Sequence, residues 1–215
     1  MAMPHPETPR SARREATRRR LLAAASEAFA ERGLHGTTVE DVCERAGFTR
    51  GAFYSNFTSR DDLVIALVEE RSTALRERVT ELTRRAGLTP SELLHEVLTT
   101  WTEQPGEREQ WLLLQTELML HAIREPAAGA AWREVVTHNL REIAAILEAY
   151  LGHQGVRLPI DSLGLARLLY ATFQGGALQH LLDPGHVAPD DLSDSLVTLL
   201  ESALVTRPGT VAEPS

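Results

Sequence analysis

The chain has 215 residues, a formal net charge of −8 and a single cysteine, Cys43. That length suits one or two domains with a sizeable core, and one cysteine excludes an intramolecular disulfide and any multi-cysteine metal site. No apolar run approaches the ~20 residues needed to cross a membrane. The acidic total conceals an asymmetry: residues 1–60 hold 10 Arg against 7 acids, whereas residues 61–215 hold 12 Arg against 23 acids. The front of the chain therefore suits a polyanion and the remainder does not. All 22 basic residues are arginine.

Residues 1–10 contain three prolines and read as a disordered tail. Ser11 to Arg32 reads as a first helix with a basic front at Arg13, Arg14, Arg18, Arg19 and Arg20, which suits either phosphates or plain solvation. Arg18-Arg19-Arg20 before Leu21-Leu22-Ala23-Ala24-Ala25 imitates a targeting signal, but Glu27 interrupts the apolar run, and Leu21, Leu22, Ala25, Ala28 and Phe29 fit an amphipathic helix. The chain is therefore expected in the cytoplasm.

The informative stretch runs from Thr37 to Leu63. Val39, Val42, Cys43 and Ala46 form an i, i+3, i+4, i+7 stripe, and Gly47 stops that helix. Thr49 caps a second helix, Arg50 to about Phe57, which commits Ala52, Phe53 and Phe57 to the core. Cys43 lies on the stripe and is expected to be a small core residue. A bracing helix, a glycine turn and a second helix with an uncommitted polar face describe a helix-turn-helix, although an ordinary helical hairpin would share the pattern. In the first reading Thr49, Arg50 and Gly51 lie nearest the base edges, and Arg50 suits a bidentate contact to guanine. Tyr54, Ser55 and Asn56 follow one turn on. Thr38 and Arg60 are phosphate candidates.

Ser59 opens a third helix of this region, with Asp61 and Asp62 in its first turn. It runs through Leu63, Leu67, Val68, Leu75, Val79 and Leu82 to about Arg85, ~40 Å at 1.5 Å per residue, long enough to connect a head to a body. Beyond Gly87, Thr89-Pro90-Ser91-Glu92 is a capping box opening a helix to about Thr102. Pro105-Gly106 breaks the chain. Further helices are expected from Glu107 to about Arg124, from Ala127 to Leu151, from Asp161 to about Leu182 and from Pro189 to about Val205. The tail beyond 206 reads as disordered. The fold is thus all-α with about nine helices. The domains divide as a helix-turn-helix at 11–58 and a helical ligand-binding and dimerisation domain at 59–206, of which 59–85 is the connecting helix.

The residues Phe29-Ala30-Glu31-Arg32-Gly33, Gly36-Thr37-Thr38-Val39, Glu44-Arg45-Ala46-Gly47-Phe48-Thr49-Arg50-Gly51, Phe53-Tyr54-Ser55-Asn56-Phe57 and Ser59-Arg60-Asp61-Asp62-Leu63 carry a resemblance. Over roughly residues 15–65 the chain resembles the DNA-binding domain of the tetracycline-repressor (TetR) family of bacterial transcriptional regulators. Ser55-Asn56 stands where an aromatic or histidine followed by histidine is common in that family, and Arg60 stands where lysine is common. The resemblance implies a double-stranded DNA operator as partner, a homodimer paired through the last two helices, 161–182 and 189–205, and a small inducer held in the body.

The body's own residues are compatible with that implication. Leu163, Leu165, Leu168, Leu169, Phe173, Ala177, Leu178, Leu181 and Leu182, with Leu192, Leu196, Leu199, Leu200, Ala203 and Leu204, make both last helices apolar over a broad arc. Such arcs finish a core or pair with a symmetry mate. Gly175 and Gly176 cost ~1 kcal/mol each in a helix interior, which is understandable where another backbone approaches. Trp101, Trp111, Met119, Trp132, Tyr150, Tyr170 and Phe173 are interleaved with Gln115, Glu117, His121, His138, Asn139 and Gln174. Each aromatic also fits ordinary core, but together they describe a largely apolar site for a small hydrophobic or amphipathic ligand. Glu117 and His121 share the i, i+4 spacing of metal ligands, but a third ligand would have to come from elsewhere, such as His138 or His180, and no metal or cofactor is expected. No HExxH, phosphate loop or nucleophile motif occurs, so no catalytic residue is assigned. Two other readings remain: a regulator governed by a partner protein or by abundance, and a small-molecule-modifying enzyme.

Overall fold

The computed structural model describes residues 9–85, 87–99, 105–157 and 159–203. These form α1 (Pro9–Arg32), α2 (Val39–Ala46), α3 (Arg50–Tyr54), α4 (Arg60–Arg84), α5 (Pro90–Thr99), α6 (Pro105–Arg124), α7 (Pro126–His153), α8 (Ser162–Leu182) and α9 (Asp191–Ala203). No strand occurs among the described residues. The tails at 1–8 and 204–215, and Trp101, lie outside them.

Local chemistry explains most of the boundaries. The Thr38 side chain accepts from the Asp41 N–H while the Asp41 carboxylate accepts from the Thr38 N–H, a reciprocal cap at the start of α2. Gly47 closes α2 at φ +70, a conformation glycine takes at no steric cost. The Thr49 side chain accepts from the Ala52 N–H and opens α3. Ser59 Oγ accepts from the Asp62 N–H ahead of α4, and Thr89 with Glu92 repeats the reciprocal cap ahead of α5.

Several boundaries differ from the sequence expectation. The helix expected to reach Phe57 ends at Tyr54. Ser55 Oγ and Asn56 Nδ2 both donate to the Ala52 carbonyl, 2.8 Å each, and this side-chain competition for a backbone acceptor ends the regular ladder. Pro105 starts α6 instead of breaking the chain, and Pro126 starts α7, because a proline's missing N–H is no loss in a first helical turn. The last helix begins at Asp191, two residues later than Pro189.

The described helices divide into two compact units. The first comprises Met1–Ser72 with Gln110–Val136, the second Thr73–Glu109 with Thr137–Ser215. The division does not follow chain order, since α4, α6 and α7 each contribute residues to both. In the first unit Leu21, Leu22, Phe29, Val42, Phe53, Phe57, Leu63 and Leu67 make one core with Leu114 and Leu118 of α6. In the second, Val79 and Leu82 of α4, Leu93 and Leu94 of α5, Leu147 of α7, Leu165 of α8 and Leu200 of α9 are buried. A Cβ at Gly176 would lie 3.3 Å from Leu192 Cβ, so this glycine accommodates α9 against α8. A Cβ at Gly175 would meet nothing within 4 Å.

Candidate nucleic-acid interface

The helix-turn-helix is built on the first unit's core. Phe53 is fully buried and Ala46, Val42 and Cys43 pack behind it, which sets α3 against α2. Burying a phenylalanine side chain stabilises by about 1.5–3 kcal/mol, enough to orient a five-residue helix that could not persist alone. The side chains left outside are the polar ones. Tyr54 is 50% exposed, and Thr49, Arg50, Gly51 and Ser55 are exposed.

Their engagements differ. Arg50 Nη1 pairs with Glu40 Oε1 of α2 at 2.7 Å, and its guanidinium lies 5.9 Å from the Tyr54 ring centroid. The Tyr54 hydroxyl, and then the Glu40 charge, hold Arg50 still more firmly in its charged form. Thr49 is occupied in capping α3, and Ser55 and Asn56 fold back on Ala52. Thr38 is exposed at the start of α2, where Asp41 engages it. Thr38's hydroxyl and N–H, and then Arg32, hold the Asp41 carboxyl below the usual aspartate range. Arg45 on the same helix pairs with Glu31 and Glu27 of α1, and Arg45 holds the Glu31 carboxyl low.

Other arginines do internal work that the sequence reading did not assign to them. Arg60 Nη1 donates to the Leu34 and Thr37 carbonyls at 3.1 and 3.2 Å, fastening the α1–α2 loop. Arg20 Nη2 donates to the Ala46 carbonyl at 2.8 Å, satisfying the end of α2, and its guanidinium lies 4.7 Å from the Phe48 ring centroid. Arg18 lies over Phe57 at 5.5 Å. Arg13, Arg14 and Arg19 are exposed. Thr37, also missed, is fully buried and donates its hydroxyl to the Ala28 and Gly33 carbonyls. The adjacent pair Thr37-Thr38 was the available signal: one threonine caps a helix, and the other can turn inward.

The candidate ligand residues are distributed over both units. In the first unit Trp111 lies 5.4 Å from the Arg71 guanidinium, Gln115 is buried, and Met119 is half-buried. Glu117 Oε2 accepts the Leu34 N–H at 2.6 Å. His121 and Trp132 meet on one cavity of about 360 Å³, with Asp61, Asp62, Ile65 and Leu118 among its other walls. His121 Nε2 is buried without a hydrogen-bond partner, 3.8 Å from Asp61 Oδ2. In the second unit His138 is exposed, Phe173 is buried and Gln174 half-buried. Tyr170 borders a void of only about 20 Å³. No group of three or more His, Cys, Asp or Glu side chains suited to a metal occurs among the described residues.

Cys43 is 4% exposed, and burial, with the Glu40 charge, pushes its thiol up. No described helix is long and apolar enough to cross a membrane.

Two family models match the chain. Residues 21–67 match the tetR family of bacterial regulatory proteins, and residues 90–205 match the C-terminal domain of BetI-type transcriptional repressors. The transcriptional repressor AcnR of Corynebacterium diphtheriae is 29% identical over 196 residues, covering 89% of this chain and 93% of that protein. The nicotine-responsive transcriptional repressor HdnoR of Paenarthrobacter nicotinovorans is 26% identical, covering 84% of this chain and 91% of that one. A transcriptional regulator of Rhodococcus sp. Rha1 has the same fold, with a TM-score of 0.70 at 25% identity over 89% of this chain and 99% of that chain. With a family model over each part of its length and a helix-turn-helix exposing Arg50 and Tyr54, the chain belongs to the TetR family of DNA-binding transcriptional regulators.

Proposed function

We propose that the protein represses transcription by binding a palindromic operator as a homodimer and leaves it when a small molecule binds. The observation that carries the DNA reading is the exposed pair Arg50 and Tyr54 on a helix whose other face, at Phe53, is fully buried. Arg50 reads base edges, Tyr54 lies beside it, and Thr38 at the start of α2 faces a phosphate. Repression is supported by relatives named as repressors.

A seam on α8 supports the dimer. Leu168, Ala171, Gly175, Leu178 and Leu182 recur at alternating spacings of three and four, the repeat of a helix-packing stripe. Leu168 and Leu182 are 39% and 85% exposed, and on α9 Leu199 is 66% exposed. Gly175, open on its Cβ side, lets a partner helix approach closely there. The homodimer then presents two heads to two half-sites.

The ligand reading rests on the 360 Å³ cavity, which falls within the range of small-molecule sites. Its walls are mainly apolar, with the carboxylates of Asp61 and Asp62 at one side. They suit a molecule with an apolar body and a hydrogen-bond-donating or cationic group. One relative is named for its response to nicotine, which favours a small-molecule effector here as well. Such a ligand shifts the operator equilibrium only by binding the two conformations unequally, and moving occupancy from 99:1 to 1:99 takes ~5.5 kcal/mol of difference.

Selection of a duplex from a random-sequence library by the whole protein tests the DNA reading. A palindromic consensus bound with steep salt dependence is expected; recovery of no consensus would refute it.

A further inference from the structure

We infer that Glu117, on α6, is a positioning residue for DNA binding, acting on the α1–α2 loop and not on DNA. The inference rests on the helix-turn-helix being the DNA-contacting element. Glu117 and Leu34 are 83 residues apart in sequence, yet the carboxylate accepts the Leu34 N–H at 2.6 Å. Leu34 is 1% exposed, so each of its backbone groups needs a partner. Its carbonyl is held by Arg60 of α4. One buried residue is thus gripped at both polar groups by charged side chains from two other helices.

The grip specifies the loop. Gly33 ends α1 at φ +70, and a Cβ there would stand 2.8 Å from Glu117 Oε1. A side chain at Gly33 would have to push the Glu117 carboxylate aside. Arg60 also holds the Thr37 carbonyl, and the next residue, Thr38, caps α2. From α2, Glu40 reaches Arg50 on α3. Releasing Leu34 frees the entry to α2 and with it the orientation of the helix that carries Arg50. His121, one turn along α6 from Glu117, borders the 360 Å³ cavity, so an occupant that displaces this turn of α6 also strains the grip.

Three variants of the full-length protein separate this role from general stability. Glu117→Asp keeps the charge but is one methylene too short, Glu117→Ala removes the acceptor, and Glu117→Gln keeps an acceptor oxygen at the same reach. On the duplex selected by the wild-type protein, the first two are expected to bind at least tenfold more weakly and Glu117→Gln within threefold. Affinity for random DNA, helical content and oligomeric state are expected to be unchanged in all three. Without any DNA, exchange of the Leu34 amide proton should accelerate at least tenfold in Glu117→Asp and remain slow in Glu117→Gln. Wild-type operator affinity in Glu117→Asp overturns the proposal, as does equal weakness of Glu117→Gln and Glu117→Ala, or a loss of binding that only tracks the unfolded fraction. Should no duplex be selected at all, the DNA reading fails and the Leu34 exchange still decides whether the grip exists.

Discussion

Arg50 of α3 and Glu40 of α2 form an ion pair of 2.7 Å across the helix-turn-helix, with both side chains more than half exposed. In the proposed complex, DNA must take Arg50 from Glu40, and Glu40 then faces the phosphate field uncompensated. Removing that carboxylate should help binding. Glu40→Gln is expected to tighten operator binding several-fold at low salt, with the gain shrinking as salt screens it. Arg50→Ala is expected to abolish sequence preference, since a good bidentate arginine–guanine contact discriminates by about 1–3 kcal/mol. Titrations of the selected duplex at two salt concentrations check both. Wild-type affinity in Arg50→Ala would mean that α3 does not read the operator.

The cap at Thr38 and Asp41 predicts an acid response. Hydrogen bonds from Thr38 and the Arg32 charge depress the folded-state pKa of Asp41 below its ordinary value. A depressed carboxylate stabilises the fold fully above its unfolded pKa, ~3.9 for aspartate, and that contribution disappears as pH falls through the lower folded value. Glu31, held low by Arg45, and Glu92, held low by Thr89, act in the same direction. Melting temperature should therefore fall as the pH drops from about 5 to about 3. In Asp41→Asn that fall should be smaller, because part of the contribution is already missing at neutral pH.

The α8 seam predicts a change of oligomeric state. Leu182 is 85% exposed in the single chain, so placing a charge there costs the subunit's own fold little. Leu182→Asp together with Leu168→Asp should convert a dimer of ~47 kDa, twice the 23.7 kDa chain, into a folded monomer at micromolar concentration. Sedimentation with circular dichroism checks this. A wild-type species of one chain's mass under those conditions would remove the dimer from the proposal.

Cys43 predicts chemical silence. It is buried, and burial disfavours its thiolate. A thiol-specific aromatic disulfide reagent should react with it slowly in the native protein and at once in denaturant. Rapid native labelling would instead mark a site opened by local unfolding of α2. Phe53→Ala, which removes a ring from the core that also holds Cys43, should cost about 3–5 kcal/mol and accelerate that labelling.

Helix caps and apolar stripes act between neighbours in sequence, which is why they could be read before the fold was known. Thr38, Gly47, Thr49 and Ser59 punctuate the helix-turn-helix where their chemistry required, and Val42, Cys43, Ala46 and Phe53 face inward as their spacing required. The early end of α3 was also local: Ser55 and Asn56 carry the side chains that compete for the Ala52 carbonyl. Arginine was harder. Five arginines near the front of the chain look alike in a composition, but only packing assigns Arg20 to the Ala46 carbonyl, 26 residues away. Arg60 has the charge of a phosphate contact and the position of a loop clasp. The candidate ligand residues were an assembly by composition over some 70 positions. Among the described residues, packing brings His121 and Trp132 together on one cavity and gives Glu117 to the Leu34 amide. The local pattern of caps and stripes thus established the helices and the turn between α2 and α3, because it depends on chemistry within one or two helical turns, while the resemblance over residues 15–65 carried the class of protein. The partners of Arg20, Arg60 and Glu117 were decided by tertiary structure, because a long charged side chain carries no record of which distant backbone group will lie within its reach.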